Sequence, residues 1–285
     1  MINHNEIKHI LLSTYTEWMK QKPLILGASI AFYFIFSLGP ILVITVGIVS
    51  FFFGKQAAEG QIVQEIFNII GDKPAEVIQS FIIQTHSPPT RFITMILSIL
   101  TIMFGSAMIF FQLKNTLNIV WDVKPIKEKR IYHIFIKYIL SFSMVVFLGI
   151  ILVLLISKSL LLVIFYDFIG QYLFFPSYLL YFIDTTLTFL FMTLLFAMIL
   201  KILPDIYIKW ADVLTGAFVT SFLFVIGQVF IGLYLGKTDI DTTYGALGSL
   251  TILLIWIYYS SLIFLVGAVF TKTYSTEKNH HQNPS

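Results

Sequence analysis

Long apolar runs separated by short polar links are the most regular feature of this chain. Residues 24–54, 213–236 and 244–271 each contain no charged side chain. A helix needs about 20 apolar residues to cross a hydrocarbon layer of ~30 Å, and each run is longer than that. Inside lipid every backbone N–H and C=O must be paired within its own segment, which favours helices. The pattern therefore predicts an all-α membrane protein.

The same pattern, followed along the whole chain, predicts six transmembrane helices and several amphipathic interfacial helices. The spans are expected at residues 24–53, 92–113, 138–157, 179–200, 213–235 and 246–270. Three further stretches place apolar side chains at helical spacing beside charged ones, which is typical of helices that lie on a membrane surface. These interfacial helices are expected at residues 6–20, 60–71 and 74–84. Residues 1–285 are then a single polytopic domain that ends in a polar tail.

The first interfacial helix, residues 6–20, has two interpretations. Its apolar stripe suits the membrane surface, but it suits the protein's own cytoplasmic face equally well.

Composition agrees with the membrane class, because 58% of the residues are hydrophobic and only 12% are charged. A soluble domain carries about 25% charged residues. The mean hydropathy is +0.88. The absence of cysteine excludes disulfides and thiolate metal sites.

Basic residues predict the orientation, since Lys and Arg concentrate in cytoplasmic loops. Of the 18 Lys and Arg residues, most fall in the segments that are cytoplasmic if both termini are cytoplasmic. Those segments are 1–23, 114–137, 201–212 and 272–285. We therefore expect a multi-pass protein with its N- and C-termini in the cytoplasm.

Reporter fusions test this orientation. Fusions after Lys129 and after Lys278 should report from the cytoplasm, and a fusion at Gly71 should report from outside. An external signal at Lys129 would contradict the assignment of the spans.

Small residues and proline mark expected bends and close helix contacts. Gly39-Pro40 lies inside the first span, where proline removes a ladder hydrogen bond and predicts a kink. Small residues allow the backbones of two helices to approach closely. The positions that we expect to serve helix packing are Gly105, Gly216, Ala217, Gly232 and Gly236. Whether the last two pack within the chain or across a dimer stays open, and with it a homo-oligomer.

Asp184 is the polar residue within a span that needs the most explanation. A carboxylate at the centre of a membrane helix costs ~2.5–3.5 kcal/mol on insertion scales, so it usually faces a cavity or a partner. Gln228, in the fifth span, is the other deep polar side chain and a candidate partner. The two form our candidate intramembrane site. An anchor at the interface or a hydrogen bond within the bundle is the alternative role for Asp184.

Catalytic signatures are absent from the sequence. It contains no HExxH, P-loop or GxSxG motif, and none of its six histidines has a carboxylate at metal-site spacing. We expect no catalytic residue, metal or cofactor. The basic segment 114–137 is expected to contact anionic headgroups of membrane lipids rather than nucleic acid.

Several segments resemble the YihY/BrkB family of bacterial inner-membrane proteins. They are LGASIAFYFIFSLGPILV at 26–43, LKNTLNIVWDV at 113–123 and YGALGSLTILLIWIYYSSLIFLVGA at 244–268. The residues that carry the resemblance are Asn118, Trp121, Pro204, Trp210, Gly216, Ala217, Tyr244, Gly245, Trp256 and Gly267. One departure follows Gly267-Ala268, where residues 269–271 replace an acidic residue and an apolar one that are usual in the family.

The resemblance implies a six-span protein of the cytoplasmic membrane without a settled activity. The label ribonuclease BN, once attached to the family, fits badly with a sequence that lacks a nuclease site. Our leading hypothesis is transport or flipping of a lipid-like amphiphile, or maintenance of the envelope. A non-catalytic membrane scaffold or assembly factor is the alternative. A polar cavity that reaches Asp184 would favour the first, and a dry, fully packed bundle would favour the second.

Overall fold

In a computed structural model of the protein, the described residues are helical apart from short links. These residues are 4–54, 60, 62, 64, 72–84, 92–124, 143, 146–151, 153–158, 177–237 and 248–282. The helices are α1 (His4–Lys20), α2 (Pro23–Phe53), α3 (Asp72–Gln84), α4 (Phe92–Val120), α5 (Val146–Lys158), α6 (Ser177–Ile202), α7 (Trp210–Lys237) and α8 (Gly248–Gln282). The all-α prediction is thus confirmed for the described residues. Most of the predicted interfacial helix 60–71 and the first residues of the predicted third span lie outside them.

Four helices of the described chain are long and apolar enough to cross a membrane. They contain the segments Pro23–Phe52, Phe182–Ile202, Trp210–Tyr234 and Leu250–Lys278. Helices α4 and α5 occupy the positions of the other two predicted spans, and α5 is a shorter apolar helix. The count of six spans stays a prediction.

Helix α8 forms the centre of the bundle. It packs against α1, α2, α3, α4 and α7. Of its most apolar 18-residue window, 56% is buried, compared with 28% to 39% for the other three membrane-crossing helices. The outer helices turn large apolar side chains such as Phe36, Phe222 and Phe230 away from the core. Such side chains are suited to contact with lipid rather than water.

Helix α8 continues beyond the predicted end of the sixth span at residue 270, through the segment that we expected to be a polar tail. It runs to Gln282, and α1 packs against it. Lys272 Nζ lies 2.8 Å from Glu17 Oε1 on α1 and 2.5 Å from Asp122 Oδ2. Tertiary ion pairs thus sustain a helix where hydropathy alone predicts an end.

Helix α1 presents two different faces. Ile10 and Thr14 are buried in its contact with α8, whereas Leu11, Tyr15 and Met19 are more than half exposed. The interpretation of α1 as a helix packed on the protein is therefore correct for one face. The opposite face keeps the apolar character that suits a membrane surface.

Proline 40 lies inside a single uninterrupted helix, α2. It is also a contact point, since a Cβ added at Gly105 of α4 would lie 2.6 Å from Pro40 Cγ. The glycine at position 105 therefore makes room for the proline ring between α2 and α4.

The α7–α8 contact is a reciprocal interlock of two glycines and two threonines. A Cβ added at Gly216 of α7 would lie 2.8 Å from Thr271 Cβ, and one added at Gly267 of α8 would lie 2.8 Å from Thr220 Cβ. Each threonine hydroxyl donates to a carbonyl one turn earlier, Thr220 to Gly216 and Thr271 to Gly267, both at 2.7 Å. The four-residue spacing on both helices brings the two backbones close together. Ala217, beside this interlock, is fully buried.

At Gly232 the described part of the chain shows no close helix contact, and its packing role stays a prediction. No atom of the described residues lies within 4 Å of a Cβ added there. The close approach in this half of α7 occurs instead at Gly227, where an added Cβ would lie 2.9 Å from Tyr259 Cε1. The surroundings of Gly236 lie outside what the structure describes.

Candidate polar site and apolar cavity

Asp184 forms an ion pair with Lys158 at the end of α5. The distance from Lys158 Nζ to Asp184 Oδ1 is 2.7 Å, and the exposed fractions of the two side chains are 6% and 38%, respectively. Lys158 directly follows the predicted third span, residues 138–157, and was not among the predicted site residues. The signal that could have identified it is a lysine directly after an apolar run, one loop before a carboxylate inside the next span.

A second acceptor on α6 completes the surroundings of the buried ammonium. Lys158 Nζ donates to Thr188 Oγ1 at 2.9 Å, and Thr188 Oγ1 donates to the main-chain oxygen of Asp184 at 2.9 Å. A buried charge is tolerated when it is paired and hydrogen-bonded. One turn of α6 therefore satisfies the charge that α5 brings into the bundle.

Asp184 and Gln228 face the same groove, whose other walls are mainly apolar. This groove lies between α6 and α7 and has a volume of about 730 Å³. Its polar lining consists of Asp184, Thr185, Thr186, Thr188 and Gln228. The two residues of the predicted site are thus neighbours in space, and the ion pair of the carboxylate is made with Lys158.

A separate apolar cavity of about 320 Å³ lies in the middle of the bundle. Helices α2 to α8 all contribute to its walls, mainly through Leu, Ile, Phe and Met side chains. The polar residues that line it are Thr45, Ser260 and Ser261. The hydroxyl of Ser261 donates to the carbonyl of Ile257 at 2.8 Å. Trp256, one of the residues behind the family resemblance, also lines this cavity.

The groove and the cavity share a wall made by Met192 and Phe224. On two helices a residue that lines the cavity lies about one turn from a polar residue that lines the groove. The pairs are Met192 and Thr188 on α6, and Phe224 and Gln228 on α7. On α5, Lys158 likewise lies about one turn beyond Leu155, which lines the cavity. Since three or four residues of helix advance ~5 Å, the polar groups lie about one turn beyond the end of the cavity.

At the opposite end of the bundle, Asn118 holds the link between α6 and α7. Its side chain donates to Asp205 Oδ2 at 2.9 Å and accepts from the Asp205 main-chain N–H at 2.8 Å. Lys114, which is buried, reaches Asp205 Oδ1 at 2.6 Å. Pro204 is buried beside Asp205. These contacts make Asn118 a structural residue of a clamp with Lys114 and Asp205, and sequence analysis did not identify Asp205.

Trp210, the first residue of α7, lies in a second cluster on the same link. Lys201 Nζ is 4.2 Å from the ring centroid of Tyr207 and 5.5 Å from that of Trp210, and it donates to the carbonyl of Ile208. Trp121 is partly buried against the core. Tyr244 and Gly245 lie outside the described residues.

Glu17 shows how α1 is attached to this end. The Lys272 ammonium donates to it and holds the pKa of the Glu17 carboxyl below its usual value, against the opposing effect of partial burial. A lowered folded-state pKa stabilises the fold above the pKa of the unfolded chain, and this contribution is lost as the pH falls through the folded value. The attachment of α1 is therefore expected to weaken in acid.

Metal chemistry has no support in the part of the chain that the structure describes. No group of three or more His, Asp or Glu side chains lies close enough there to hold an ion.

Several apolar helices around a buried central helix, with an ion pair between two of them, define a multi-pass α-helical membrane protein. The chain belongs to the BrkB family, since the family described as Virulence factor BrkB matches residues 14–285. The resemblance seen in the sequence is thereby confirmed.

Individual relatives are also membrane proteins. The chain is 39% identical over 74 residues to a UPF0761 membrane protein of Tolumonas auensis, covering 26% of this chain and 24% of that protein. It is 28% identical over 177 residues to a UPF0761 membrane protein of Glaesserella parasuis, covering 61% of this chain and 60% of that protein. The matched segments thus span between a quarter and three fifths of these relatives. No solved structure matches the chain.

Proposed function

We propose that this protein binds a lipid-like amphiphile inside its bundle and transports or flips it across the cytoplasmic membrane. The observation that carries the proposal is the apolar cavity that shares a wall with a groove in which polar side chains, Asp184 and Gln228 among them, lie beside apolar ones. An amphiphile has the same division, with an apolar chain and a polar head.

The dimensions support such a ligand. Ligand sites usually have volumes of roughly 300–1,000 Å³ and are lined mainly by apolar side chains with a few placed polar groups. The cavity, at about 320 Å³, falls within this range. An apolar chain in it would regain dispersion contacts that the lining side chains lack while the cavity is empty.

A non-catalytic scaffold or assembly factor is the second candidate. It is favoured by the exposed apolar face of α1, with Leu11, Tyr15 and Met19. A partner or a membrane surface could cover this face. A scaffold function gives no role to the cavity. Binding of an amphiphile uses both the cavity and the groove, and for this reason we prefer it. Ribonuclease activity stays disfavoured on the ground that the sequence contains no HExxH, P-loop or GxSxG motif.

Quenching of Trp256 fluorescence tests whether the cavity takes an apolar chain. A protein with the other three tryptophans, Trp18, Trp121 and Trp210, replaced by phenylalanine reports from the cavity alone. Trp256 is 8% exposed and lines the cavity. A dodecyl maltoside brominated at the chain end should therefore quench it only by entering the bundle.

Two variants control for quenching through the surrounding lipid. In the same background, Ser261→Phe should fill the cavity and reduce quenching severalfold. Leu254→Phe lies on the same helix but is 46% exposed, so it should leave quenching unchanged. No quenching in the parent protein, or equal quenching in both variants, would contradict binding in the cavity.

A further inference from the structure

We propose that the Lys158–Asp184 pair selects amphiphiles whose headgroup is zwitterionic, with one negative and one positive charge. This inference rests on the proposed function and adds the chemical class of the headgroup. It follows from the unequal burial of the two partners and from their position beside the cavity.

Lys158 cannot lose its partner without a replacement. Its side chain is 6% exposed, and its acceptors among the described residues are Asp184 and Thr188. A buried ammonium without a counter-ion is strongly destabilised. A headgroup that draws Asp184 away must therefore place a negative group beside Lys158.

Asp184 is the partner that meets a headgroup first. It is 38% exposed and is the one ionisable side chain among the described residues that line the groove. A positive group entering the groove therefore finds a carboxylate, with the hydroxyls of Thr185 and Thr186 and the amide of Gln228 around it. The negative group that should follow finds Lys158 directly behind that carboxylate.

A zwitterion satisfies both partners at once. Its cation takes the place of Lys158 beside Asp184, and its anion takes the place of Asp184 beside Lys158, so that every charge stays paired. A purely cationic headgroup leaves Lys158 without a partner, and a purely anionic one leaves Asp184 without a partner. In surroundings of low dielectric, each unpaired charge weakens binding.

The position of the pair allows one ligand to use both spaces. Lys158 and Thr188 lie about one helical turn beyond Leu155 and Met192, which line the cavity. A chain that fills the cavity thus brings the atoms at its head to the ion pair.

The experiment compares four bromododecyl amphiphiles on the protein that retains Trp256 alone, in nanodiscs at matched mole fraction. The headgroups are phosphocholine, trimethylammonium, sulfonate and maltoside, which are zwitterionic, cationic, anionic and neutral. We expect phosphocholine to reach half-maximal quenching at a mole fraction about 10-fold lower than either singly charged headgroup needs. Equal quenching by the zwitterionic and singly charged headgroups would overturn the inference and leave the proposed function standing. Absence of quenching by all four would overturn the proposed function itself.

The double variant Lys158→Met/Asp184→Leu assigns the preference to the ion pair. It removes both charges together, so no buried charge is left without a partner. Quenching should persist, and the 10-fold preference for phosphocholine should disappear. If this variant kept the full preference for phosphocholine, the role of the ion pair would be contradicted. The headgroup would then be recognised by other groups of the groove.

Discussion

Gly216→Ala and Gly267→Ala are each expected to reduce the yield of folded protein severalfold. The new methyl group would lie 2.8 Å from the Cβ of the facing threonine, Thr271 or Thr220, and closer still to its hydroxyl. Threonine is branched at Cβ and stiff in a helix, so it cannot turn aside and α7 must move away from α8. Overpacking of a core costs typically 1–3 kcal/mol, and this contact involves the central helix. Thermal unfolding of the purified variants in a mild detergent measures the loss.

Gly232→Ala is the matched control for this prediction. It lies on the same helix as Gly216, but no atom of the described residues lies within 4 Å of its added Cβ. It should therefore unfold at the temperature of the parent protein or slightly above, because alanine favours the helix over glycine. Thr271→Gly should partly restore Gly216→Ala by removing the side chain that obstructs it. If Gly216→Ala were as stable as Gly232→Ala, the interlock would not hold the two helices together.

The second large effect is an asymmetry between the two halves of the ion pair. Asp184→Leu leaves the buried ammonium of Lys158 without its counter-ion, and breaking a buried pair in this way costs about 3–5 kcal/mol. Lys158→Met leaves instead a carboxylate that is 38% exposed and can gain water. We therefore expect Asp184→Leu to destabilise the protein more than Lys158→Met. The melting temperatures of the two purified variants measure this difference.

The double variant Lys158→Met/Asp184→Leu closes a thermodynamic cycle around the pair. It should be more stable than Asp184→Leu alone, because it no longer buries an unpaired charge. Asp184→Asn keeps a hydrogen-bond acceptor beside Lys158 and should fall between the parent protein and Asp184→Leu. A double variant less stable than both single variants, or a Lys158→Met variant less stable than Asp184→Leu, would show that the pair is not the stabilising unit.

Sequence analysis identified Asp184 of the ion pair but not Lys158. The reason is that only Asp184 differs clearly from the residues around it in the sequence. A carboxylate at position 184 stands out because a charge inside an apolar run is costly. Lys158 does not stand out, since a lysine directly after an apolar segment is also typical of the ordinary end of a membrane span. The partners of both residues depend on which faces of α5 and α6 meet, and hydropathy does not report that.

Glycine spacing indicated only part of the contact between α7 and α8. The GxxxG pair at Gly232 and Gly236 matches a known packing pattern, but no atom of the described residues lies within 4 Å of a Cβ added at Gly232. The contact that the fold uses joins Gly216 with Thr271 and Gly267 with Thr220 across two helices. Each half of that interlock is an ordinary Gly-x-x-x-Thr sequence, and its role exists only where two such halves face each other.

The sequence by itself determined the class of the protein and the positions of its most apolar helices. These follow from local physics, because apolar side chains prefer lipid and the backbone in lipid must pair within its own segment. The tertiary structure decided the rest. It extended α8 to Gln282 by pairing Lys272 with Glu17 and Asp122, and it buried Lys158 against Asp184. It also left an apolar cavity beside a groove that holds Asp184 and Gln228. Each of these depends on contacts between residues far apart in the chain, and such contacts are fixed only when whole helix faces pack together.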